Sequence, residues 1–133
     1  MNASLENAFA AWLTNANIGA PIHTGASADE FDPEKLAVIV SVPDVEHSVG
    51  PLHRATVNLV VSGPAYHASL PSYRETATAI RQLVEASPFE ALADALADHA
   101  AILFCGLWVR DSSERIEEDR WIHTLTLLVG LAR

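Results

Sequence analysis

This chain has a single cysteine, a single lysine and no long uninterrupted apolar run. A membrane-spanning helix needs roughly 18 apolar residues in a row, and no stretch approaches that. Cys105 alone excludes an internal disulfide, and its place in the apolar stretch 101–110 predicts a buried, inert thiol. Lys35 is the only lysine, and the arginines are scattered, so no basic patch exists. Direct binding to the nucleic-acid phosphate backbone needs clustered positive charge, so no specific nucleic-acid binding is expected. The phosphate-cradling patterns Gly-x-Gly-x-x-Gly and Gly-x-x-x-x-Gly-Lys-Ser/Thr are missing, as is the Gly-x-Ser-x-Gly elbow of serine hydrolases. The start of the chain, polar and broken by Asn2, Glu6 and Asn7, does not read as a secretory leader.

What is present is acid and apolar. Seventeen acidic residues against 8 basic ones give a net charge of −9, while half of the 133 residues are apolar and only 19% charged. That length suits one domain, residues 1–133. The apolar excess has to enter a core or a surface that another subunit covers.

Periodicity then divides the chain. Leu5, Phe9, Trp12 and Leu13 recur at helical spacing after a candidate cap at Ser4, and Asn17 and Gly19 end that helix. Residues 19–35 read as a long loop, ordered by Ile22 and Phe31. Residues 36–42 form a β-branched run expected to be a strand covered on both faces, and Pro43 to Pro51 a polar connection. Val57, Leu59 and Val61 alternate with polar residues across 54–62, a second strand antiparallel to the first. Tyr73, Ala77, Ile80 and Val84 stripe a helix that starts either from a capping box at Ser72–Glu75 or with Pro71 in its first turn. Ser87-Pro-Phe-Glu90 reads as a second capping box, leading into Leu92, Ala93 and Leu96.

Residues 101–110 are expected to be a strand buried on both faces, the charged residues 111–120 a protruding hairpin connection, and 121–131 a last alternating strand. The fold class is α+β in the order α-β-β-α-α-β-β, with one antiparallel or mixed four-stranded sheet and helices on one face.

No constellation of catalytic or metal-binding type stands out. His47-x5-His53 is not a recognised ligand spacing, and no His pair sits four apart on a helix, so no metal or other cofactor is expected. His47, His53 and His123 are the residues that would line a pocket if the chain were instead a small ligand-binding protein or enzyme. An acidic binding protein for a basic partner, of host or immunity type, is a further alternative. The aromatic and charged residues around the last hairpin are better candidates for protein contacts. Trp108 and Trp121 flank the charged connection, where they would stack as hairpin partners or serve a subunit interface. Arg115, Glu117, Glu118 and Phe31 complete that candidate set.

The element order, the length and the segment from Arg54 to Arg81 resemble the tail-terminator and tail-completion proteins of long-tailed bacteriophages and prophages. The helix pattern Tyr-x6-Ile-x2-Leu-Val, here Tyr73 to Val84, and the strand opening Asp119-Arg120-Trp121 carry the resemblance. It implies a structural, non-enzymatic virion protein assembled in the host cytoplasm as a hexameric ring. Such a ring caps the tail tube, meets the head-completion proteins and lets DNA pass. A net −9 subunit suits a lumen that does not hold DNA. The 19–35 loop and the 111–120 connection depart from the family pattern.

Overall fold

The computed structural model describes residues 2–25, 35–65, 70–86 and 89–133. Helix α1 spans Asn2–Asn15, strand β1 Ile22–Thr24, β2 Ala37–His47, β3 Leu52–Pro64, helix α2 Leu70–Glu85, α3 Glu90–Ala100, β4 Leu103–Glu117 and β5 Arg120–Ala132. The sheet has five strands in the order β1-β2-β3-β5-β4, all antiparallel except the β1–β2 pair. The α+β class is therefore as the periodicity indicates, with one strand more than expected. β1 lies inside the stretch read as loop, and three residues are too few to show an alternation.

One face of the sheet is the core. Val38, Val40 and Val42, then Ala55, Val57, Leu59 and Val61, then Leu125, Leu127, Val129 and Leu131 are all buried on it. The helices cover that face. Leu5, Phe9, Trp12 and Leu13 of α1, Tyr73, Ile80 and Val84 of α2, and Leu92 and Leu96 of α3 supply its other half. The opposite face carries Ile39, Ser41, Thr56, Asn58, Val60, Thr124, Thr126 and Leu128, all half-buried, with Thr126 donating to Asn58 Oδ1 at 3.0 Å. So β2 is covered on one face, not two.

The element ends differ from the sequence reading in instructive ways. β2 continues through Pro43 to His47, because a register shift between Ser41 and Asp44 places the proline at a bulge where no ladder N–H is needed. The true turn is only 48–51, closed by Ser48 N–H on Leu52 O and by Gly50 at φ 58°. Ser4 lies within the first turn of α1 instead of capping it. α2 begins at Leu70 with Pro71 in its first turn, where a missing N–H is harmless. α3 begins at Glu90, with Phe89 at its N-cap position making no capping side-chain bond; Ser87 and Pro88 of the second capping box lie outside the described residues.

The last hairpin departs furthest. β4 and β5 pair along their whole length through a two-residue turn, Glu118–Asp119, with both residues at positive φ (51° and 61°). Such a turn matches the right-handed twist of the strands it joins. β3 flanks β5 over the same span, Pro64 opposite Arg120 and Leu52 opposite Ala132, so the charged segment runs along the sheet and does not protrude. β4 is an edge strand, largely exposed, and Cys105 is exposed with it. An uncharged apolar run is compatible with a buried strand or with an adhesive edge, and here it is the edge.

Candidate interaction surface

The two edges of the sheet are finished differently. β1 pairs with Val38–Val40 of β2, and α1 closes the next position. The Asn2 side-chain amide donates to Val42 O at 2.9 Å, and the Glu6 carboxylate accepts from Gly25 N–H at 2.9 Å and Val42 N–H at 3.4 Å. Pro43, Asp44 and Glu46 follow. Prolines, charges and covering side chains are the usual means of blocking a sheet edge. β4, fifteen residues long, forms the other edge.

Charge divides β4 in two. From Arg110 to Glu117 it carries Arg110, Asp111, Glu114, Arg115 and Glu117, with Arg115 Nε paired to Glu117 Oε2 at 2.7 Å. From Leu103 to Val109 it carries no charge, and Leu103 (69%), Trp108 (59%) and Val109 (44%) are exposed. Bulges at the 104–106 and 109–111 positions bracket this half and increase its local twist. An open groove of about 520 Å³ runs along it, lined by Phe104, Cys105 and Leu107 from the strand and by Phe89, Glu90 and Ala93 from the start of α3.

Trp108 is held in a specific way. It sits opposite Leu128 on the sheet face away from the helices, beside the facing pair Gly106 and Gly130. A Cβ on Gly106 would stand 3.1 Å from Trp108 Cη2, with Cζ2 at 3.5 Å and Cζ3 at 3.6 Å. Near-equal distances to three consecutive ring atoms place that point over the ring face, so the indole lies flat across the glycines. In the same row, Leu103 and Leu52 flank Ala132, and Leu52 is 41% exposed. This end of the sheet thus presents a contiguous apolar patch of the kind that marks a protein contact. Next to it Asp44, Glu46, Arg54, Thr56 and Arg110 line a polar hollow of about 340 Å³, with Arg54 paired to Glu46 at 3.1 Å.

The charged half of β4 is tied to α2. Tyr73, fully buried, donates its hydroxyl to Glu114 Oε2 at 3.1 Å and stacks on Trp121 at 6.0 Å between ring centres. Burial, and then the neighbouring Glu114 carboxylate, push the Tyr73 phenol above its ordinary range, so it stays protonated. Ser112 Oγ lies 3.2 Å from His123 Nε2 and accepts from Arg81 at 3.5 Å. Burial lowers the His123 pKa, with Arg81 adding to the effect and Glu114 opposing it. Glu114 bonds to the tyrosine, and the resulting network fastens a helix to a hairpin.

The predicted contact residues are dispersed by this arrangement. Trp108 is exposed on the patch, whereas Trp121 is half-buried beneath α2, opposite Ile116 and not Trp108, so the two do not stack. The Trp121 Nε1 donor has no partner among the described residues. Arg115 and Glu117 lie on the charged half, Glu118 is in the turn, and Phe31 lies outside the described residues. His47 and His53 are cross-strand partners at the β2–β3 turn, whereas His123 aligns with Val61, well along β3 from His53. A strand advances about 3.3 Å with each residue, so the three histidines do not line one pocket. The α3 side of the groove, Phe89 and Ala93, escaped the sequence reading, because only the tertiary fold brings it beside β4.

No family model matches the sequence, and no curated protein matches it. Solved structures do match. A chain in the structure described as "Virion of native gene transfer agent (GTA) particle" superposes with a TM-score of 0.51 over 91% of this chain and 84% of its own length, at 19% identity. At that identity the likeness is one of fold: this α+β architecture is shared with a chain of a gene transfer agent virion.

Proposed function

We propose that this protein is a structural component of a phage-like virion, a subunit of tail-terminator type. It closes into a ring that caps the tail tube and meets the head-completion proteins, and it works by assembly without catalysing a reaction. The observation that carries the reading is the shared fold, which spans 91% of the chain, with a chain from a virion particle. The physical features agree with it. A ring subunit meets its neighbours through heterologous surfaces, and those surfaces must be apolar enough to hold. The uncharged half of β4, with Trp108, Leu103 and the groove beside α3, is such a surface. The net charge of −9 suits a ring through which DNA passes without sticking.

Light scattering on a sizing column, with and without the tail tube protein of the same particle, tests the reading. A ring-sized species, or a complex formed on addition of the tube protein, is expected. A strict monomer at high concentration that ignores the tube protein defeats it.

A further inference from the structure

We propose that His47 and His53 together bind a divalent transition-metal ion of the zinc class at the β2–β3 turn. The inference is independent of the virion reading and rests on the geometry of the two rings. His47 and His53 are direct cross-strand partners, the last pair before the turn, with ring centres 5.2 Å apart and planes at 61°.

Each ring already commits one nitrogen. His47 Nε2 lies 2.7 Å from Gly50 O, and His53 Nδ1 lies 3.1 Å from Pro51 O. A carbonyl oxygen only accepts, so both of these nitrogens carry the proton. Neutral His47 is then the Nε2–H tautomer and neutral His53 the Nδ1–H tautomer. His47 Nδ1 and His53 Nε2 keep their lone pairs. This is the state of a ligating histidine, whose second nitrogen donates to a carbonyl or carboxylate that fixes the ring and raises its basicity.

The spacing also fits. A zinc–nitrogen bond of about 2.0–2.1 Å, plus about 1.1 Å from nitrogen to ring centre, puts each centre about 3.2 Å from the ion, and a tetrahedral angle then separates the centres by about 5.2 Å. A square angle would bring them to about 4.5 Å. The observed 5.2 Å leaves room for an ion held at the tetrahedral angle between the two rings. No group of three or more His, Cys, Asp or Glu residues surrounds an ion position among the described residues, so the chain supplies two ligands and leaves the other positions to water. The turn that carries the pair is closed by its own backbone bonds, Ser48 to Leu52 and Leu52 to Val49, so both rings stand on a fixed frame.

Isothermal titration of the full chain with zinc sulfate, for wild type and for His47→Ala, His53→Ala and His99→Ala, tests the site. Wild type and His99→Ala are expected to take one ion per chain, and the other two variants to lose the binding heat. Nitrogen NMR of the imidazoles supplies the second readout and shows that the variants remain folded. Zinc should shift His47 Nδ1 and His53 Nε2, the nitrogens that do not face carbonyls. Absence of wild-type binding, survival of binding in either single variant, or a shift at the carbonyl-bonded nitrogens instead, overturns the proposal. None of these outcomes touches the virion reading, which is tested by assembly.

Discussion

The two halves of β4 belong to one strand, pair with one neighbour and lie on one edge, yet they are built on opposite terms. Arg110–Glu117 places charges along the open backbone and is fastened to α2 through Tyr73, Arg81 and His123. Leu103–Val109 has no charge, and it turns a tryptophan outward. An open edge invites pairing by another chain, and charges discourage it. The molecule therefore blocks one half and leaves the other adhesive, while the far edge is blocked by β1 and α1. Mutation in the fastened half should show in stability, and, on the proposed ring reading, mutation in the uncharged half should show in association.

The largest effect is expected on the fastened side. Tyr73 is a fully buried aromatic. Tyr73→Ala should cost about 3–5 kcal/mol in denaturant unfolding. Tyr73→Phe keeps the ring and loses only the hydroxyl bond to Glu114. Its cost should be on the order of 1 kcal/mol. Trp108→Ala should behave the other way, because the indole is exposed. Its unfolding free energy should change by less than about 1 kcal/mol. Association measured by sedimentation should weaken by about 30-fold, which corresponds to the roughly 2 kcal/mol of an interface anchor. A Trp108→Ala protein that unfolds as easily as Tyr73→Ala breaks the comparison.

Val109→Lys extends the charged pattern into the bare half. Val109 is exposed, so stability should stay within about 0.5 kcal/mol of wild type. Self-association in the same assay should fall, because a lysine discourages edge pairing. The smallest effect is a pH dependence. His123 has a lowered pKa in the folded state, so the unfolded chain binds the proton more readily. Stability should then fall as pH drops below the ordinary histidine value near 6.5 and level off below the folded value. His123→Gln should flatten that part of the pH profile.

Much of the fold was legible because a period identifies a face. Leu5, Phe9, Trp12 and Leu13, or Val57, Leu59 and Val61, have one arrangement that buries them, and they adopt it. β4 was not legible in this way. Residues 103–109 look like a core strand because burial and stickiness draw on the same side chains. Residues 111–117 look like a loop because charge excludes a core, although it does not exclude an edge. Pro43 looks like a strand end until pairing places it at a bulge. Of the candidate site, Trp108 was identifiable from its type and position, but the groove wall at Phe89 and Ala93 was not. The histidine pair was hidden for a related reason. A five-residue interval becomes a facing pair only when the chain reverses symmetrically about its middle residue, Gly50, as the Ser48–Leu52 backbone bond makes it do.

The glycine floor under Trp108 has an electronic consequence. With one side of the indole resting on Gly106 and Gly130, the other side is offered to solvent as a flat π-surface. Aromatic faces carry the negative lobe of the ring quadrupole and draw guanidinium and ammonium groups, tryptophan most strongly. In a molecule whose formal charge is −9, even this uncharged window favours an approaching cation.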